Sequence, residues 1–479
     1  MHSSAARHVS QPLTVAEYYR DEQVRARMLE YCGATPDHPA TAAYVVALDP
    51  DRRPLPIWNG DAGHLPSVEL PEAWHRGCDV SRSLWDAEHL VFLLELDYQN
   101  IDQPAEPFLR PAETFFKLEP AYRAASTVFT RLNLHTRAIA TGRGYHFTGQ
   151  IPLVDPLVDR LAALAPETPT WYAGVDTRRP VDVTTPMTER HARAATGLGL
   201  LIEHASHLVL ARASGTSEMP VVVNGTIVGS GRVGRECVSI DFSHVGDPLD
   251  VRHLRIAFST YQWHRLRPDI FGEVASAMPP IAALPRTFRS VATFLTHGRT
   301  LDCGVQMAGV GPACLPDVTA GIDRLLTSYA ASPLAAWHRA FYAARRDVGT
   351  RLHDLDVSAW PPCVARGLQR PNDLLLKPEH LQHLVRGLMS RGWSPAEIAG
   401  LVQSKYEEDC GWGDRWSRMH PQTRAEFEVR VFAGLIATGA DRLVDFNCVS
   451  AQEKDICSRT GCRYDLRTDR DHLMAGQPS

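Results

Sequence analysis

Residues 89 to 98 read HLVFLLELDY, five apolar positions in a row followed by two acids, Glu95 and Asp97, spaced two apart. A run of that kind suits a strand buried on both faces, as in the centre of a sheet. Upstream, TVAEYYRDEQVRARMLEYCG predicts a helix and AAYVVAL a shorter strand; downstream, a helical stretch leads into RAIATGRGYHFTGQIPL, which reads as strand, glycine turn, strand. From about Pro156 to Ala213 the spacing is helical again, including TERHARAATGLGLLIEHASHLVLARA, and it returns to strands at ECVSIDFS and HLRIAFSTYQWH. After about Phe271 the pattern becomes helices separated by proline-rich joints such as AMPPIAALP and SAWPPC. Ser394 followed by Glu397 forms a capping box at the head of one of these helices. The pattern therefore divides the chain into an α/β part over 1–275, a helical linking region over 276–355 and a helical part over 356–479.

Composition narrows the class. Hydrophobic residues are 44% and charged residues 22% of the 479, which excludes disordered and collagen-like chains. No stretch approaches the run of about 18 apolar residues needed to span a membrane, and MHSSAARHVSQPLTVAEYY has no apolar signal core, so a cytoplasmic location is expected. Fifty Lys and Arg against 55 Asp and Glu give a net charge of −5, so any contact with polyanions has to be local. Five of the ten cysteines, Cys363, Cys410, Cys448, Cys457 and Cys462, fall in the last quarter or so of the chain. In a reducing compartment such a cluster points to a metal or iron–sulfur site before a disulfide framework.

Three short motifs carry the candidate chemistry. On a strand, Glu95 and Asp97 project from the same face, where two like charges repel unless a cation lies between them or the strand end reaches solvent. ECVSIDFS supplies a lone Asp241, which is a turn former by itself and a third ligand if the strands meet. Three carboxylates offer the hard oxygens that Mg²⁺ or Mn²⁺ takes, and two such ions suit in-line displacement at phosphorus. The run TGRGYHFTGQIP places three glycines with Arg143 and His146. Its turn can present backbone N–H groups and charge-assisted donors to phosphate, or be a plain hairpin with a surface arginine. Arg255, His264 and Arg265 in DVRHLRIAFSTYQWHR form a basic segment behind Asp241, suited to a triphosphate or template backbone, or else a solvated edge strand.

In this order, paired acids on an apolar strand, glycine turn with histidine, single aspartate on a strand and then an arginine-bearing strand, the chain resembles the archaeo-eukaryotic primase superfamily over roughly residues 12 to 275. VAEYYRDEQVRARMLEYC is also similar to the N-terminal helix of the primase small subunit. The resemblance implies an α+β catalytic domain with an RRM-like mixed sheet and a helical insertion. It makes Glu95, Asp97 and Asp241 ligands of Mg²⁺ or Mn²⁺, and Arg143, His146 and Arg255 contacts to nucleotide phosphates. The sequence departs from that family in carrying Glu95 for the commoner aspartate and Tyr261 about where a histidine is frequent, and it lacks zinc-knuckle cysteines between the first two motifs.

WPPCVARGL, HLQHLVRGLMSRGWSPAEIAGLV and FNCVSAQEKDICSRTGC carry a second resemblance, to the C-terminal domain of the primase large subunit, which holds a four-iron cluster. It implies Cys363, Cys448, Cys457 and Cys462 as ligands of a 4Fe-4S cluster, with structural zinc as the alternative, Cys410 as a rival ligand, and buried inert thiols as the plainer reading. Together the resemblances imply a DNA primase or primase-polymerase acting on nucleoside triphosphates along a single-stranded DNA template. Because no G-x-x-x-x-G-K-[ST] loop occurs, unwinding falls to a separate helicase. Two other functions fit parts of the pattern: a catalytically inactive single-stranded nucleic-acid-binding replication factor of the same fold, and a metal-dependent nuclease or rolling-circle initiator. The last needs two histidines one residue apart on a strand, which the sequence does not offer.

Overall fold

Strand β4 is the longest among the described residues and sets the rest of the sheet. The computed structural model describes residues 12–48, 63–165, 167–175, 185–225, 236–246, 253–286, 298–344, 357–358, 360–369, 373–407, 420–457 and 462–476. In chain order the described strands are β1 (Tyr44–Leu48), β2 (Gly63–Pro66), β3 (Asp79–Arg82), β4 (His89–Asn100), β5 (Arg137–Ala140), β6 (Gly144–Pro152), β7 (Val221–Val223), β8 (Glu236–Asp241), β9 (Leu254–Arg255), β10 (Thr260–Tyr261), β11 (Ile281–Ala282) and β12 (Leu284–Pro285). They form a six-stranded sheet, β12-β5-β6-β4-β8-β7, a four-stranded sheet, β2-β1-β3-β9, and the pair β10-β11. The six-stranded sheet is mixed, because β7 runs parallel to β8 while the other pairs are antiparallel. The protein is thus a mixed α+β chain with N-terminal sheets and a largely helical C-terminal region.

Alternation along β4 explains why both its faces are buried. Leu90, Phe92, Leu94, Leu96 and Tyr98 enter one core with the helices Pro111–Arg131 and Glu189–Ala213, while Val91 and Leu93 enter a second core with the N-terminal helices and β1, β3 and β9. Glu95 and Asp97 continue that second face just where its apolar character stops. The expected N-terminal helix is two, Val15–Tyr18 and Glu22–Tyr31, with Asp21 capping the second. Tyr18 and Tyr19 between them reach far across the chain: Tyr18 donates to the carbonyl of Phe258 at 2.8 Å, and Tyr19 to that of Cys78 at 2.9 Å while accepting from Thr260 N at 2.9 Å. Those bonds hold β10, and with it Tyr261.

Three features depart from the sequence reading. The joint AMPPIAALP contains β11 and β12, and β12 pairs with β5, so strands beyond the boundary drawn at residue 275 complete the main sheet. HLRIAFSTYQWH yields two strands of two residues each in different sheets rather than one strand. One helix among the described residues, Glu189–Ala213, is long and apolar enough to cross a membrane, although no such stretch was expected; 72% of its most apolar window is buried inside the protein. The capping box is formed as expected, with Ser394 Oγ accepting from Glu397 N at 3.3 Å and Glu397 Oε2 accepting from Ser394 N at 2.8 Å.

The helical region is joined to the sheets by apolar packing and by one buried polar network. A single apolar cluster runs from Leu90 to Leu473. Within it Glu203, fully buried on the helix Glu189–Ala213, pairs with Arg430 at 2.7 Å and His338 at 3.2 Å. Arg430 donates on to Tyr342 Oη at 2.7 Å, and Tyr329 Oη lies 2.8 Å from His338 Nδ1. Burial opposes the charge on Glu203, yet Arg430 and His338 outweigh it and hold the carboxyl down at about 2.

Burial lowers His191, His204, His207 and His264 to about 4, from an ordinary value of 6.5. Between those limits the unfolded chain takes up protons that the folded chain refuses, so stability falls as pH drops from about 6.5 to about 4. Buried Glu428 and Asp79, whose carboxyls are raised, oppose this in part. Thermal unfolding is therefore expected to give a lower Tm at pH 5 than at pH 7.5, and an unchanged or higher Tm would show that the histidines titrate as if exposed.

Candidate metal and nucleotide site

Strand register brings the sequence's separate acids together. Glu95 on β4 stands opposite Asp241 on β8 and opposite His146 on β6, and Asp97 stands opposite Gly144. Residues directly opposite in an antiparallel pair share a face, so Glu95, Asp97, Asp241 and His146 point the same way. Ligand oxygens of Glu95, Asp97 and Asp241 all lie within 4.8 Å of one another, and the three side chains are buried. Among the described residues this is the one group of three or more metal-ligating atoms so close together. Asp241 is also fixed from behind, its Oδ1 accepting from Ser243 N at 2.9 Å.

Two like charges about 4 Å apart repel by about 4 kcal/mol at an effective dielectric of about 20. Three buried acids therefore need positive charge, and the chain supplies part of it. Arg143 Nη2 lies 3.2 Å from Asp97 Oδ2, and His146 Nε2 lies 3.4 Å from Glu95 Oε1. An all-oxygen donor set of this kind fits Mg²⁺ or Mn²⁺.

At the glycines of TGRGYHFTGQIP the space a side chain would fill is taken by the protein itself. A Cβ on Gly144 would fall 1.8 Å from the carbonyl oxygen of Leu96, one on Gly142 2.3 Å from the Tyr261 ring, and one on Gly149 2.3 Å from Val318. The missing side chains let β6 close on β4 and let the turn sit on Tyr261.

Tyr261, given no role from the sequence, belongs to the site. Burial raises its phenol, Arg143 and Arg255 oppose that, and Asp97 and Asp79 add to it, so the ring lies among four charged groups. Phe108 stacks on it at 6.0 Å, and the Arg255 guanidinium lies 5.1 Å from its ring centroid. Arg255 itself sits on β9, mostly buried, 3.7 Å from Asp79. Asp79 is held in turn by Thr260 Oγ1 at 2.8 Å and Gln262 N at 2.7 Å.

The C-terminal region also reaches this place. Phe427, on the helix Pro421–Ala437, meets Phe242 edge-on at 6.0 Å, one residue beyond Asp241. Its neighbour Glu428 has a carboxyl pushed up to about 7 by burial, with Arg424 opposing and Asp241 and Glu379 adding to the rise. Nothing near residue 428 in the sequence signals this contact.

The other expected ligands lie near Cys363: burial first, then the thiols of Cys457, Cys462 and Cys448, push its thiol up to about 12, so each of the three is within electrostatic reach of it. Cys448 Sγ and Cys462 Sγ face the carbonyl of Tyr464 at 3.9 and 4.0 Å. Cys363 is buried on the helix Pro362–Gln369, Cys448 and Cys457 are half-buried, and Cys462 is exposed. Cys410 lies outside the described residues. Comparison with known proteins finds no family model, curated protein or solved structure that matches the chain.

If the acids form a cation site, Mn²⁺ should bind the purified protein, read as loss of the free-ion electron paramagnetic resonance signal. D97A and D241A should each weaken that binding by at least about tenfold while leaving the Tm equal or higher, because removing one acid relieves repulsion. Equal Mn²⁺ affinity in D97A and the intact protein would assign these acids to structure alone.

Proposed function

We propose that the chain is a DNA primase or primase-polymerase that joins nucleotides along a single-stranded DNA template. The observation that carries this reading is the convergence of Glu95, Asp97 and Asp241 from two neighbouring strands, with Arg143 and His146 at the same strand ends. The motif order's resemblance to the archaeo-eukaryotic primase superfamily supplies the reaction class. Glu95, Asp97 and Asp241 would hold two Mg²⁺ or Mn²⁺ ions, which supply Lewis-acid activation of the primer 3′-hydroxyl and neutralise the leaving pyrophosphate.

The protein's own part is positioning and charge. Arg143 is shared between Asp97 and the incoming triphosphate: once Asp97 is otherwise neutralised, its planar fork is available for two phosphate oxygens. His146 adds a ring N–H beside Glu95. Tyr261 walls the turn that carries Arg143, and Arg255 supports Tyr261 from beneath, with phosphate contact as its proposed further role. A separate helicase would supply the unwound strand.

The cysteines are proposed to hold a 4Fe-4S cluster in preference to zinc. The support is the resemblance of the cysteine-bearing segments together with the electrostatic reach of Cys448, Cys457 and Cys462 to Cys363, and structural zinc is the alternative.

Purified protein incubated with single-stranded DNA, labelled nucleoside triphosphates and Mn²⁺ is expected to yield extended products, and D97A none. Binding without extension would favour the inactive replication factor, and cleavage of the template a nuclease. R143A is expected to raise the KM for nucleotide about tenfold or more with a smaller change in kcat, since a grip present in ground and transition states is lost. Anaerobically purified protein should be coloured and contain iron. C363S should lose both and impair primer initiation more than extension of a ready-made primer; zinc in a colourless preparation would reverse the cluster assignment.

A further inference from the structure

We propose that Arg299 is the positioning residue of the glycine turn, setting the backbone of Thr141 and Gly142 so that the turn and Arg143 are held ready for a phosphate. This rests on the nucleotidyl-transfer reading of the site. Arg299 lies 158 residues beyond Thr141 in sequence and just before the helix Leu301–Ala308. Its own carbonyl accepts from Ala282 N at 2.7 Å, which anchors it to β11. From there the side chain runs inward, only 6% exposed, and its guanidinium donates to the carbonyls of Thr141 at 2.5 Å, Gly142 at 2.8 Å and Pro107 at 3.2 Å. The Phe115 ring lies 4.6 Å away.

The geometry matters because a peptide unit is planar and trans, so a carbonyl and the following N–H point in opposite directions. Drawing the carbonyls of residues 141 and 142 toward Arg299 turns the N–H groups of Gly142 and Arg143 to the opposite side of the turn. Successive N–H groups directed one way make a concavity for an anion. The third bond, to Pro107, ties in the short helix Glu106–Leu109, whose Phe108 stacks on Tyr261 and, at 4.5 Å, on His264. One planar fork thus fixes the turn and the wall beneath it.

A cation buried on carbonyl oxygens is an expensive way to fasten a loop. Burial lowers the Arg299 guanidinium to about 10, with Tyr145 and Tyr261 opposing, so the charge is retained at neutral pH but strained by its surroundings. Lysine could keep the charge without the fork, and methionine could fill the space without either. That separates a positioning role from simple packing.

The test uses the full chain with R299K and R299M. Three readouts are taken: Mn²⁺ binding alone, binding of deoxyadenosine triphosphate in the presence of Mn²⁺, and hydrogen exchange of amides 141–144 against those of β4. The expected result is unchanged Mn²⁺ affinity in both variants, triphosphate affinity weakened about tenfold in R299M and less in R299K, and faster exchange confined to 141–144. Intact triphosphate affinity in both variants, or losses of Mn²⁺ and triphosphate affinity in parallel with faster exchange throughout β4, would overturn the proposal. If the unsubstituted protein binds no triphosphate, the nucleotidyl-transfer reading falls instead. Exchange at 141–144 then decides alone whether Arg299 sets the turn, faster supporting it and unchanged overturning it. Should R299M fail to fold, R299K carries the same comparison.

Discussion

Mutual repulsion among three buried carboxylates is the constraint around which the N-terminal half is arranged. Glu95, Asp97 and Asp241 are brought together by backbone pairing of β4 with β8, which is indifferent to side-chain charge. The stabilisation that holds them there comes from elsewhere along the same strand, from Leu90 to Leu94 and Leu96 buried in two cores. Arg143 and His146 are placed by the other neighbour of β4, so acids and bases meet across the β4–β6 pairing. The closeness that makes the three acids costly together is what a divalent cation between them would relieve.

A second layer of control acts from outside the sheet. Tyr18 and Tyr19 hold β10, β10 holds Tyr261, and Tyr261 occupies the space that Gly142 leaves open. On the far side, the helix Pro421–Ala437 presses Phe427 on Phe242 next to Asp241. The acidic site is therefore fixed by residues from the first twenty and the last sixty of the chain, with Glu203, Arg430 and His338 tying the intervening helices into one buried network.

The local patterns were legible in sequence because they depend on short-range periodicity. The apolar run before Glu95 named the central strand, and the capping box at Ser394 named a helix start. The shared face of Glu95 and Asp97 followed from the two-residue repeat. What escaped depends on long-range pairing. Strands of two residues, such as β9 to β12, carry no period to detect, so the chain's return to the main sheet after residue 275 was invisible. The glycines of TGRGYHFTGQIP stand out in the sequence, but the partner each one meets, Tyr261, the Leu96 carbonyl or Val318, lies in another segment. Arg299 and Glu428 sit in stretches with no motif at all, and only the fold gives them neighbours.

The apolar cluster, with members from Leu90 to Leu473, bears on how the gene product can be divided. A chain ended before residue 356 would leave Phe242 and the outer face of Glu189–Ala213 bare to water, with Glu203 deprived of its arginine. The cysteine-bearing helices, expressed alone, would expose the matching surface and an unpaired Arg430. The two regions share buried surface and one ion-paired network, so a cut between them uncovers both.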